Sequence, residues 1–438
     1  MRTSIHKKIS NLDEFKTKLL TWAQQFREIV FLDSNNYPDK YSSYDCVLAV
    51  DAFTSTKTDY QNAFEDLKQY QQTTRDWLFG YLSYDLKNNL ENLKSNNSDG
   101  LGFPDLYFFQ PKKLFFLKGN NLEICYLNVC NDEIDEDFSK ISSLVSSFKF
   151  ATPVALSGSS QVSNVEIQQK ISKENYIQKV TKILEHIHRG DIYEANFCME
   201  FFGENAIINP LGNYLKLNEI SKAPFSVFFK NYQHFLLSAS PERYLKKENE
   251  NIISQPIKGT SKRFLDQIED EKSKLELSQN PKERSENIMI TDLVRNDLSK
   301  TAQKGCVQVE ELCKVYSFLQ VHQMITTISS KLNPDLSAID VLKTTFPMGS
   351  MTGAPKISAM QIIEDLEESK RGLYSGSVGY FTPNGDFDFN VVIRSILYNQ
   401  TEKYVSFSVG SAITSLSIPE QEYEECLLKA KAMLEVLS

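Results

Sequence analysis

The sequence predicts an α+β fold in which large antiparallel β-sheets pack as a sandwich with helices on the outside. Three observations predict it. Short apolar, aromatic or β-branched runs follow one another in pairs with only a turn between them, as antiparallel neighbours do. The dipeptide Asn384-Gly385 stands between two such runs and marks a hairpin. Amphipathic segments lie among the strand-like runs, no repeat of fixed period is visible, and neither a Gly-x-Gly-x-x-Gly nor a P-loop is present.

In chain order, residues 28–32, 46–50, 77–84, 106–109 and 113–117 read as strands, because each is short, rich in aromatic or β-branched residues, and flanked by turn formers. Between them, 58–74 carries Tyr60, Phe64, Leu67 and Tyr70 at helical spacing. Residues 157–164, small and polar without periodicity, read as a linker. The expected organisation is therefore an N-terminal region over 1–156, a linker over 157–170 and a second region over 171–438. In the second region Ile177, Val180, Ile183, Leu184 and Ile187 form one apolar helical face that stops at Gly190. Strands are expected again at 225–230, 234–238, 376–382, 389–398 and 404–409.

The bulk numbers exclude several classes. Acidic residues outnumber basic ones, 57 to 48, for a net charge of −9, so no nucleic-acid footprint is expected. No apolar run approaches the roughly 18 residues of a membrane span, and the N-terminus has no signal-like apolar region, so no membrane partner is expected. Seven scattered cysteines, never in Cys-x-x-Cys spacing, point to reduced thiols in the cytoplasm rather than a disulfide framework or a zinc site.

Candidate chemistry gathers around one lysine. Lys258 lies between Pro256 and Gly259, a short way after Ser240-Pro241-Glu242. A lysine amine is a nucleophile only when neutral, and a solvent-facing lysine in a turn would look the same in sequence. Two acidic pairs stand out. Asn280-Pro281 opens a helix bearing Glu283 and Glu286 three residues apart, on one face. Pro419 opens another with Glu422 and Glu425 at the same spacing. Facing each other, the two helices would offer four carboxylates, a hard-oxygen site suited to Mg²⁺. A capping role for Glu283 and solvated helix faces remain open alternatives. The run from Thr345 to Lys356, with Gly349, Thr352, Gly353 and Pro355, reads as a glycine-rich turn entering a helix, a site receptive to anions. Arg394 is expected inside an otherwise apolar strand, where a charge needs a partner such as a bidentate carboxylate.

These residues carry a resemblance to the chorismate-utilising enzyme family, and within it to the component I group that makes 4-amino-4-deoxychorismate, with the anthranilate-forming component I group as nearest relative. It covers effectively the whole chain, from Phe79-Gly80-Tyr81-Leu82-Ser83-Tyr84-Asp85 to the C-terminal helix, and is strongest from about 172 to 432. It implies an anthranilate synthase component I-like fold, with residues 171–438 as the chorismate-binding catalytic region. It implies that Lys258 attacks C2 of chorismate while Glu242 protonates the departing C4 hydroxyl. Glu286 and Glu425 match direct Mg²⁺ ligands, and Glu283 and Glu422 match positions that act through bound water. Gly259, Thr260, Thr352, Tyr374, Arg394, Gly410, Ala412 and Lys429 match substrate-binding positions, and His322 matches a buried histidine near the site. The resemblance further implies that ammonia comes from a separate glutamine amidotransferase subunit, component II, since no glutaminase region is recognisable here.

Two departures mark the comparison. The anthranilate-forming group has alanine at the position of Lys258, and its tryptophan-binding serine is matched only partially by Ser34, in Phe31-Leu32-Asp33-Ser34. Glu194 stands where ammonia-using relatives commonly carry glutamine and water-using ones carry lysine. Anthranilate formation is the alternative activity, and a non-catalytic scaffold for the glutaminase the alternative outside enzymes.

Overall fold

The computed structural model describes residues 1–37, 40–91, 93–145, 165–319 and 321–438. The expected linker at 157–164 lies outside the described residues. Every pairing between the described strands is antiparallel. One sheet runs from Glu194–Gly203 through Tyr404–Thr414, Ser395–Asn399, His234–Ser240, Phe225–Asn231 and Glu28–Asp33 to Cys46–Thr58. The second runs from Leu106–Lys118 through Leu78–Leu82, Ser377–Phe381, Phe387–Asn390, Arg243–Glu248 and Asn251–Gln255 to Val321–Lys331. Cys46–Thr58 and Leu106–Lys118 pair along their length and join the two, with a register shift between Ala52 and Thr54 where the ladder bends. Strands from the first 127 residues and from residues beyond 171 therefore share both sheets.

The apolar runs are explained by burial on both faces. Along Glu28–Asp33 and Cys46–Thr58, Val30, Val47 and Ala49 point into a core with Phe79 and Phe389, between the sheets. The alternate residues Ile29, Phe31 and Leu48 point into a second core with Leu19 and Met433, under the helices. Each such side chain, fully buried, contributes about 1.5–3 kcal/mol. The helices begin and end where the sequence places them. Lys173–Arg189 starts with Ser172 accepting from the Asn175 amide and stops at Gly190, whose φ of +89° needs glycine. Pro281–Ser299 is capped by Asn280, whose side chain accepts from Lys282 and Glu283, and Pro419–Leu437 also opens on proline. Among the described residues, no helix is long and apolar enough to cross a membrane, and all seven cysteines are free.

Two expectations are corrected. The helix expected from 58 spans Ala63–Thr74, because residues up to Thr58 extend the long strand. The strand expected over 389–398 is two strands, Phe387–Asn390 and Ser395–Asn399. The first belongs to one sheet and the second to the other, so the chain must cross between them at 391–394. Arg394 consequently stands at the crossing with φ of +52°, not inside a strand. The Asn384-Gly385 turn closes as expected, with Gly385 at φ +79°.

Candidate active site

Lys258 is aimed inward by an irregularity in its own strand. Ile257–Lys262 pairs with Val321–Lys331, but the register shifts between Ile257 and Thr260. Gly259 occupies that shift with φ of +91°, and a Cβ there would come within 3.0 Å of Glu283 Oε2, so glycine is required twice over. The Lys258 amine donates to Glu194 Oε1 at 2.8 Å, with side-chain exposures of only 9% and 1%. Burial pulls its pKa down, but Glu194, Glu286 and Glu242 outweigh burial and hold the amine above its usual value. In this state it is an ammonium.

Glu242 sits on the sequence side of Arg243, whose buried guanidinium grips both oxygens of Asp388, at 2.9 and 3.2 Å, and Gln255 at 2.7 Å. That anchor and the Val391 amide, donating to the Glu242 carbonyl at 3.0 Å, fix the backbone. The carboxyl accepts from Ser350 Oγ at 2.6 Å and borders a cavity of about 330 Å³. Burial pushes its pKa up to about 7, against opposing pulls from Ser350 and Lys258. Near neutral pH a sizeable fraction of Glu242 thus carries a proton, as a general acid requires.

The glycine-rich turn that supplies Ser350 is held from below. Asn196 donates to the Ser350 carbonyl at 2.9 Å, and Thr352 Oγ1 to the Met348 and Gly349 carbonyls. The buried Arg371 fork donates to the carbonyls of Met351 and Asn196, both at 2.7 Å, while Glu367 balances its charge. The helix after the turn is Lys356–Leu366, with Pro355 at its cap.

The two glutamate pairs converge, with lysines between them. Lys282 donates to Glu422 at 3.2 Å and lies 3.9 Å from Glu286. Lys429 pairs with Glu425 at 2.6 Å and donates to the Gly410 carbonyl at 2.8 Å. Glu422 also accepts from Ser411. Burial, with the charges of Glu194 and Glu283, raises the Glu286 pKa to about 8 despite Lys258, and burial raises that of Glu283. Burial raises the Glu425 pKa, but the charge and hydrogen bond of Lys429, with the charges of Lys282 and Lys258, together outweigh it and leave the carboxyl lowered. Among the described residues, no three acidic, cysteine or histidine side chains come close enough together to hold a cation. The donors nevertheless suit a hard divalent ion: all are carboxylates, and among the described residues the buried Glu286 Oε1 accepts no hydrogen bond.

Arg394 makes no hydrogen bond or ion pair with its guanidinium among the described residues, and burial holds its pKa below the usual value, with Tyr374 and Glu425 pulling only partly the other way. An arginine that is largely desolvated and unpaired is built to receive an anion. The Tyr374 hydroxyl lies 3.9 Å from Cys198 Sγ. Gly410 and Ala412 lie on Tyr404–Thr414 opposite Cys198 and Asn196, and any side chain at 410 would come within 2.6 Å of Asn196 Oδ1. His322 is placed differently. Its ring is engaged by Ser317 at 2.8 Å and Asp270 at 3.1 Å, fastening Gln267–Gln279 to the sheet. Thr260 is exposed on the strand of Lys258. Ser34 lies apart from the rest, lining a separate cavity that also touches Tyr380 and Arg243, and among the described residues its buried hydroxyl has no partner.

Residues 27–435 match the family described as chorismate binding enzyme. The chain belongs to that family. It is 36% identical over 387 residues to the probable chloroplastic aminodeoxychorismate synthase of Oryza sativa subsp. japonica, covering 82% of this chain and 43% of that protein. It is 38% identical over 270 residues to aminodeoxychorismate synthase component 1 of Escherichia coli strain K12, covering 62% of this chain and 59% of that one. The chain thus spans less than half of the rice protein. The crystal structure of anthranilate synthase component I from Streptococcus pneumoniae TIGR4 superposes with a TM-score of 0.76 at 22% identity, over 91% of this chain and 93% of that one, so the fold is shared.

Within this chorismate-binding member, sequence reasoning missed Ser350, Arg371, Lys282 and the pairing of Glu194 with Lys258. Ser350 stood inside a recognised turn and could have been read as a donor. Arg371 had no signal, because nothing in sequence distinguishes a buried arginine from a surface one.

Proposed function

We propose that this chain aminates chorismate to 4-amino-4-deoxychorismate, using ammonia delivered by a separate glutaminase subunit, on the way to 4-aminobenzoate and folate. The observation that carries this reading is the pair formed by a buried amine, Lys258, and a buried, partly protonated acid, Glu242, whose charges sense each other in one site. Arg394, with Tyr374 beside it, receives a substrate carboxylate. Glu286 and Glu425, seconded by Glu283 and Glu422, would hold Mg²⁺, which when bound anchors and orients the other carboxylate. Lys258, once neutral, bonds to C2 as Glu242 protonates the C4 hydroxyl, which leaves as water. Ammonia bonds to C4, Lys258 departs, and Glu242 takes up the surplus proton. Gly410, Ala412 and Thr352 shape the walls.

The ammonia supply is supported by the name component 1 carried by the Escherichia coli relative. A cytoplasmic location is supported by seven free cysteines. The cavity lined by Ser34 supports a second binding place, for tryptophan. Incubating the purified chain with chorismate, Mg²⁺ and ammonium chloride, then separating products by chromatography, tests the reading. Aminodeoxychorismate is expected with ammonium and not with glutamine alone. Anthranilate or isochorismate as the product would overturn it.

A further inference from the structure

Glu194 is the one group at the centre of the site that the chemistry above leaves unused. Its backbone is fixed at the start of Glu194–Gly203, paired with Ala354 on one side and Thr414 on the other. The side chain is fully buried. Oε1 accepts from the Lys258 amine at 2.8 Å, and Oε2 is buried with no hydrogen bond among the described residues. Lys258 is faced by other acids too: Glu242 after His234–Ser240, Glu283 and Glu286 on Pro281–Ser299, and Glu425 on Pro419–Leu437. Among the described residues, only Glu194 is within ion-pair distance of it.

We propose that Glu194 is the base that takes the proton Lys258 must shed before it can attack chorismate. This rests on the reading of Lys258 as nucleophile. The proton moves from Nζ to Oε1 along an existing hydrogen bond, turning a buried charged pair into a neutral one without drawing on solvent, which burial favours. The lone pair left on Nζ forms the bond to C2, both ring double bonds shift, and the C4–O bond breaks, with the oxygen leaving as water on the proton of Glu242. Ammonia's lone pair then forms the C4–N bond, the shift reverses, and the Nζ–C2 bond breaks to release a neutral amine. The new C4 ammonium returns one proton to Glu242, and Glu194 returns its own to Lys258. Atoms and charges balance to chorismate and ammonia giving aminodeoxychorismate and water. The carboxylate thereby makes the nucleophile available below the pH at which solvent would deprotonate a lysine.

The test reads adduct formation, so ammonia's own titration does not enter. Wild type, Glu194→Gln and Glu194→Asp are mixed with chorismate and Mg²⁺ without ammonia, quenched at intervals from pH 6 to 9, and the Lys258 peptide is read by mass spectrometry. At pH 7 the glutamine variant should form adduct at least tenfold more slowly than wild type, and the aspartate variant should recover part of the loss. The ratio of the glutamine variant's rate to the wild-type rate should climb with pH, since solvent then removes the proton; taking the ratio cancels the titration of Glu242. A ratio near one at pH 7, or one that falls with pH, would make Glu194 an anchor only and overturn the proposal alone. Absence of adduct in wild type at every pH would overturn the nucleophile reading and this proposal with it.

Discussion

Replacing Glu242 with glutamine should abolish turnover and stabilise the protein, and the stability gain has a pH signature. In the folded protein the carboxyl titrates at about 7, raised by burial from an unperturbed value near 4.5. A group whose folded pKa is raised contributes stability that is complete below its unfolded pKa and is lost as pH rises through the folded one. The shift of about 2.5 units corresponds to about 3 kcal/mol at about 1.4 kcal/mol per unit. Most of that loss falls between pH 5 and 8, leaving about 2–3 kcal/mol in that window. Glutamine is isosteric, still accepts from Ser350 Oγ, and does not titrate. With about 2 cal/mol/K of unfolding entropy per residue over 438 residues, 1 kcal/mol moves Tm by about 1 °C. Scanning calorimetry should therefore show the variant's Tm advantage widening by about 2–3 °C from pH 5 to pH 8. Glu286 also titrates high, but it does so in both proteins and drops out of the difference. Parallel Tm curves across that range would mean Glu242 is ionised throughout. No proton would then be held ready for the departing hydroxyl, and the acid role would fall.

Lys258→Ala should lower aminodeoxychorismate formation by roughly a hundredfold or more, the rate equivalent of the few kcal/mol that a covalent step removes from a barrier, while chorismate binding measured by calorimetry changes far less. Near-normal turnover would reduce the lysine to electrostatics. Glu286→Gln and Glu425→Gln should each nearly abolish Mg²⁺-dependent turnover and weaken Mg²⁺ binding measured directly by titration calorimetry; either variant working normally at low Mg²⁺ would remove it from the metal site.

Much of the fold was legible because its signals are local. Asn280-Pro281, Gly190 and Asn384-Gly385 each fix a boundary within a turn or two, and each does so in the structure. What escaped depends on distant partners. Val391, Val392 and Ile393 prolong an apolar run without a break, so the crossing that strains Arg394 is invisible until both sheets are in place. Glu194 and Lys258 are 64 residues apart, and opposite charges at that separation carry no pairing information. The acidic spacing of Glu283 with Glu286 and Glu422 with Glu425 exposed the carboxylates, but not that Lys282 and Lys429 would stand among them. His322 was placed near the site by resemblance alone, and its ring partners Ser317 and Asp270, 5 and 52 residues away, were not legible in the sequence.

The interleaved sheets also govern how the protein is born. Among the described strands, Leu78–Leu82 pairs on one side with the nearby Leu106–Lys118 but on the other only with Ser377–Phe381, and Glu28–Asp33 pairs with Cys46–Thr58 and the later Phe225–Asn231. The ribosome delivers about 5–20 residues per second, so Leu78–Leu82 waits roughly 15–60 s for the stretch that closes its edge. During that interval the aromatic faces of Tyr81 and Phe108 lack their later partners Phe229, Phe381 and Phe389. Exposed strand edges of this kind are where nascent chains stick to one another. Rapid synthesis or scarce chaperone cover should therefore limit the yield of this protein before any weakness of its finished fold does.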